Sequence, residues 1–109
     1  MRNINDMKNI ELLPIEFVGI GEVKGIEFYL FVKNEHVYIY RRSDGNYEVF
    51  ERKTTAKCID FENRVFSETE FKEVYPKAKD FGKTAFSYRN RHDAYKKVDE
   101  LTKKIKNRK

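Results

Sequence analysis

A chain of 109 residues has the length of one domain, and 38% charged against 39% apolar residues, with nine Phe, seven Tyr and no Trp, exclude a disordered or membrane-spanning polypeptide. The single cysteine, Cys58, excludes a disulfide framework and a cysteine-built zinc site, and the N-terminus lacks the apolar core of a signal peptide, so a cytoplasmic protein without membrane contact is expected. The net charge of +5 is unevenly placed: residues 1–82 hold 13 Lys and Arg against 15 Asp and Glu, whereas residues 83–109 hold 10 against Asp93, Asp99 and Glu100.

Residues 1–11 are polar and read as a flexible arm. Ile15–Val23 reads as a strand in which Gly19 and Gly21 mark a bulge or a close backbone approach. Ile26–Lys33 and His36–Arg42 are β-prone runs around an Asn34-Glu35 connection. Ser43-Asp44-Gly45-Asn46 signals a type I′ hairpin before a strand over Tyr47–Lys53. Residues 15–53 therefore read as an antiparallel β-meander of four strands. Residues 54–82 read as an irregular excursion, with one short strand around Lys57–Phe61, and Lys83–Tyr88 reads as another short strand. Asn90 is an N-cap with Asp93 three residues on, and Ala94, Val98, Leu101 and Ile105 recur at helical spacing. The expected fold class is α+β, one domain with an antiparallel meander of four to six strands and a basic, amphipathic C-terminal helix packed on one face.

Two-residue loops at both hairpins pair Val32 with Val37, Leu30 with Ile39, Phe31 with Tyr38 and Tyr29 with Tyr40. Opposite residues share a face, so this register divides the sheet into an aliphatic side and an aromatic side. The aromatic side bears Tyr29, Phe31, Tyr38 and Tyr40, with Arg42 and Tyr47 at its rim. The helix has the aliphatic side as its natural partner. An open aromatic side is a platform for stacked bases or a protein interface, since Tyr and Arg are favoured at interface centres. Alternatively, the 54–82 excursion folds over it as a second core layer. The closing KKIKNRK brings Lys103, Lys104, Lys106 and Arg108, which attract phosphates or acidic surfaces, or else complement the dipole of the helix end.

No catalytic constellation stands out. His36 and His92 have no further ligand at metal spacing, and Arg91-His92-Asp93 stands without the rest of a kinase signature. Cys58 has no histidine placed to activate it and reads as a buried structural thiol. Glu22-Val23-Lys24 has the spacing seen in metal-dependent nucleases, without an identifiable upstream Asp. The expectation is a non-enzymatic protein with no cofactor and no metal.

Gly21-Glu22-Val23-Lys24-Gly25 with Phe28, Tyr47-Glu48-Val49-Phe50, Tyr75-Pro76-Lys77 with Phe81-Gly82, and Asp93-Ala94 together resemble short basic proteins carried by phages and mobile elements of the Bacteroidota. A fainter resemblance is to the WGR domain, a nucleic-acid-associated sheet with a trailing helix, with Phe81-Gly82-Lys83 in place of its signature. The first resemblance implies an anti-CRISPR-like inhibitor whose partner is a host RNA-guided nuclease or another nucleoprotein complex. Direct binding of RNA or DNA as an accessory protein, and a homo-oligomer that pairs its aromatic faces, are the other readings.

Overall fold

The computed structural model describes residues 9–107. Within them the strands are β1 (Asn9–Glu11), β2 (Glu16–Val18), β3 (Glu27–Lys33), β4 (Val37–Arg42), β5 (Tyr47–Glu51), β6 (Thr54–Asp60), β7 (Val65–Glu73) and β8 (Ala85–Tyr88), followed by helix α1 (Arg91–Lys106). The fold class is α+β, as the periodicities imply. The chain divides into two compact units, one of residues 14–52 with 76–107 and one of residues 9–13 with 53–75.

In the larger unit the sheet order is β2-β3-β4-β5-β8, with every neighbouring pair antiparallel. α1 lies mainly across β4, β5 and β8. Its stripe of Ala94, Val98, Leu101 and Ile105 meets Val37, Ile39 and Val49 of the sheet, with Phe31, Val32, Tyr47, Phe86 and Tyr88 packed around them. Burial of this stripe holds a helix whose polar face would not sustain it alone. Asn90 caps it: its Oδ1 accepts the Asp93 N–H at 2.8 Å.

The hairpin loops set a register different from the expected one. Between β3 and β4 the loop is Glu35-His36, because Asn34 pairs with Val37 (N–H to carbonyl, 3.0 Å). The Asn34 side-chain oxygen also accepts the N–H groups of His36 and Val37, each at 2.8 Å, an Asx-type turn that favours this loop over Asn34-Glu35. Lys33 consequently faces Tyr38 and Val32 faces Ile39. The pairing then steps from Leu30–Tyr40 to Val32–Ile39, leaving Phe31 as a β-bulge. Phe31 and Val32 both pack on the helix-side core, and burial of two large side chains where strict alternation would bury one accounts for the bulge. Between β4 and β5, Arg42 pairs with Asn46 around a Ser43-Asp44-Gly45 loop. Gly45 takes φ 92° there, in a three-residue turn instead of the two-residue type I′ turn. Tyr38, Ile39, Tyr40 and Arg41 therefore face Phe50, Val49, Glu48 and Tyr47.

The expected strand over Ile15–Val23 shortens to β2, and Gly21–Val23 form a 3-10 turn. Gly19 makes the close approach that its sequence position implies, since a Cβ there would lie 2.4 Å from the Val23 carbonyl oxygen.

In the smaller unit the order is β1-β7-β6, with β1 parallel and β6 antiparallel to β7. Most of the stretch expected to be irregular is thus a hairpin. The part of the expected arm that is described, Asn9–Glu11, is a strand, and residues 1–8 lie outside the described residues. Asp60 accepts bonds from the Asn63 backbone and side chain at 3.3 and 2.7 Å, and Arg64 takes φ 55° to close the turn. Lys57 pairs with Glu11 at 2.9 Å, and Glu73 accepts the Leu13 N–H at 3.0 Å.

Candidate functional site

A one-residue change of register moves side chains to the other face of a sheet, and here it divides the expected aromatic surface in two. Tyr38 and Tyr40, with 1% and 0% exposure, lie on the side away from α1, together with Phe28, Phe50 and the half-buried Phe17. Phe17 stacks on Phe28 with centroids 4.7 Å apart, Tyr40 stacks on Phe50 at 5.7 Å, and Tyr38 meets Tyr40 edge-on at 5.5 Å. The Tyr40 hydroxyl donates to the Pro14 carbonyl at 2.7 Å, and the Arg52 guanidinium stands 4.6 Å from the Tyr38 ring centroid. These rings are core and present no open surface. Arg42, expected at a rim, points into this layer and bonds Glu48 and Asp44. Burial works against charge on Arg42 and Asp44, yet their mutual hydrogen bonds hold the guanidinium above its ordinary pKa and the Asp44 carboxyl below its own.

Tyr29, Phe31 and Tyr47 lie on the helix side. Strand pairing aligns Glu16, Tyr29, Arg41, Tyr47 and Tyr88 in one row across the five strands of the larger unit. At roughly 4.8 Å between neighbouring strands, Tyr29 and Tyr47 stand roughly 10 Å apart with Arg41 between them. Tyr47 and Tyr88 are half-buried beside the first turns of α1, while Arg41 and Tyr29 are exposed, Tyr29 at 37%. Phe31 sits next to the row, 5.3 Å from the Tyr47 ring and 6.1 Å from that of Tyr95, which is 44% exposed on the helix flank. Arg91, one turn before Tyr95, is exposed on the same flank. Among the described residues neither Arg41 nor Arg91 has a carboxylate within ion-pair distance. The Tyr29 hydroxyl donates to Glu27, and that bond raises the phenol pKa, keeping the ring neutral.

Lys103, Lys104 and Lys106 are exposed in the last turn of α1. Lys103 lies twelve residues from Arg91, roughly 18 Å along the axis, so the basic end is well separated from the tyrosine row. Arg108 lies outside the described residues. The structure thus brings Tyr29, Phe31 and Tyr47 together, separates them from Tyr38, Tyr40 and Arg42, and adds Arg41, Tyr88, Tyr95 and Arg91. The signal for Arg41 was the cross-strand pairing itself, legible only once the bulge at Phe31 is placed. For Tyr95 the signal was its i+4 spacing from Arg91.

Among the described residues no group of three His, Cys, Asp or Glu side chains could hold a metal ion. Cys58 is exposed on β6, not buried as expected. No helix among the described residues is long and apolar enough to cross a membrane. No family model, curated protein or solved structure matches this chain.

Proposed function

We propose that this protein is a non-enzymatic binding protein that acts on a nucleoprotein partner through the helix-side row Tyr29–Arg41–Tyr47–Tyr88. The observation that carries this reading is the row itself: tyrosines and an arginine with no carboxylate in ion-pair distance among the described residues, aligned across the sheet. Tyr and Arg contribute most at interface centres because they offer large area and directed bonds for few rotatable bonds. The resemblance to phage and mobile-element proteins makes a host RNA-guided nuclease the partner class, with inhibition as the outcome. A second reading, an accessory protein that binds RNA or DNA directly, is supported by the exposed guanidiniums of Arg41 and Arg91, which have no carboxylate in ion-pair distance among the described residues.

The test is an affinity capture with the tagged protein from a bacterial lysate, with and without nuclease, beside the Arg41→Glu variant. A nuclease component held by the wild-type chain after digestion, and lost with Arg41→Glu, supports the inhibitor reading. Recovery of nucleic acid alone supports the accessory reading. Identical capture by the variant removes the row as the contact surface.

A further inference from the structure

The larger unit carries 15 Lys and Arg against 11 Asp and Glu over residues 14–52 and 76–107, so the row belongs to a part of the chain with an excess of positive charge. The sequence of groups along it is ring, guanidinium, ring, ring: Tyr29, Arg41, Tyr47, Tyr88. A polynucleotide laid across the strands presents base faces and phosphates in alternation, and it matches the Tyr29–Arg41–Tyr47 part of that order only if its bases are unpaired and splayed apart from their neighbours. In a duplex the base faces are stacked on each other, and only phosphates and groove edges remain accessible. At the β2 end the row meets Glu16 and Glu27, exposed carboxylates that repel phosphate. At the other end the chain runs from Tyr88, the last residue of β8, into the exposed Arg91 at the start of α1. The track therefore has an acidic stop and a basic continuation.

From this arrangement we infer that the row is a binding site for single-stranded RNA or DNA, with Tyr29 and Tyr47 stacking on bases and Arg41 between them holding the intervening phosphate. The inference rests on the nucleoprotein reading above, and it makes the exposed single strand of the partner the ligand. Lys103, Lys104 and Lys106, at the far end of α1, add a general attraction for any polyanion and no preference for single strands.

The test uses the full chain with fluorescein-labelled dT12, U12 and a 12-base-pair DNA duplex, read by fluorescence anisotropy at low salt. The wild-type protein should bind both single strands at least about tenfold tighter than the duplex. Tyr29→Ala and Arg41→Gln, both at exposed positions, should each weaken single-strand binding about tenfold and leave duplex binding within about twofold. The triple change Lys103→Gln, Lys104→Gln, Lys106→Gln should weaken all three ligands alike. Equal affinity for duplex and single strand, or full binding by natively folded Tyr29→Ala and Arg41→Gln, overturns the inference. Photocross-linking of U12 to the wild-type chain supplies a readout that needs no variant. Cross-links at Tyr29, Tyr47 or Tyr88 support the site, and cross-links confined to Lys103–Lys106 overturn it. If no oligonucleotide binds while a nuclease-resistant protein partner is captured, the inference fails and the partner reading stands. Loss of both removes both.

Discussion

The Arg42 guanidinium lies 2.6 Å from the Glu48 carboxylate, and the Glu48 side chain is only 1% exposed while that of Arg42 is 14% exposed. The pair sits beside the Phe28 ring, whose centroid is 5.8 Å from the guanidinium carbon. A carboxylate so far from solvent is tolerated because a cation and hydrogen bonds meet it. Arg42 is a structural residue, and its removal tests folding.

Arg42→Ala should destabilise the protein by about 3 kcal/mol by removing the cation beside a buried carboxylate. The replacement of both partners, Arg42→Met with Glu48→Leu, should cost less than Arg42→Ala alone. Urea unfolding followed by circular dichroism measures both. A single Arg42→Ala change within about 0.5 kcal/mol of wild type would show that Glu48 does not depend on it.

Tyr38→Ala combined with Tyr40→Ala should abolish the cooperative unfolding transition, because each deletes a ring buried among Phe28, Phe50 and its neighbours. Large-to-small changes of this kind cost about 3–5 kcal/mol each, comparable with the whole stability of a small domain. Tyr40→Phe, which deletes only the hydroxyl bond to the Pro14 carbonyl, should cost about 1 kcal/mol. A folded, cooperative double variant would contradict the core assignment.

Gly19→Ala should cost about 2 kcal/mol through overpacking, since its Cβ would meet the Val23 carbonyl oxygen at 2.4 Å and the Val23 side chain at 2.7 Å. The same unfolding experiment reads it, and Asn90→Ala, at about 1 kcal/mol from the lost cap, is a scale for comparison.

Stability should fall on acidification. The hydrogen bond and charge of Lys57 hold the Glu11 carboxyl below its ordinary value of 4.5, against a smaller opposing effect of desolvation. The Asn63 side-chain and backbone hydrogen bonds hold Asp60 below 3.8. A carboxyl whose folded pKa is depressed contributes stability that is present above its unfolded value and lost as pH falls through the folded one. The decline should thus begin below about pH 4.5. Urea midpoints between pH 6 and pH 2.5 should fall less steeply for Glu11→Gln with Asp60→Asn than for wild type. Both carboxylates are at the surface, so the difference is small and should shrink further in high salt.

Much of this architecture is written in short-range patterns. The β-branched and aromatic runs from Glu27 to Glu51 make strands whatever surrounds them, and the Ala94–Ile105 stripe with Asn90 before it marks α1. The β6–β7 hairpin was harder to read. β7 carries Glu68, Glu70, Lys72 and Glu73, and its pairing with β6 shifts between Ala56 and Cys58, so no clean alternation survives in the chain. Ser67 marks that irregularity by accepting the Thr69 and Glu70 N–H groups with its hydroxyl.

The candidate site depended on a single residue of register. Asn34-Glu35 and Glu35-His36 are both acceptable two-residue loops, and the choice came from the Asn34 carboxamide bonding forward to His36 and Val37. Moving that loop by one residue shifts the pairing by two and keeps each side chain on its face; the exchange of Tyr38 and Tyr40 for Arg41 on the helix side comes from the bulge at Phe31 and from the three-residue Ser43-Asp44-Gly45 turn.

By itself the sequence determined the strand content of the meander, the amphipathic helix and the concentration of positive charge at the C-terminal end, because propensity, period and charge are local properties. Tertiary structure alone decided which tyrosines became core and which stayed open. β3 to β5 carry aromatic residues on both faces, so alternation cannot say which face is covered. The bulge at Phe31 turned Tyr38 and Tyr40 to the face away from α1, where they are buried with Phe28 and Phe50, and α1, seated mainly over β4, β5 and β8, left Tyr29 and Arg41 on its own side in solvent.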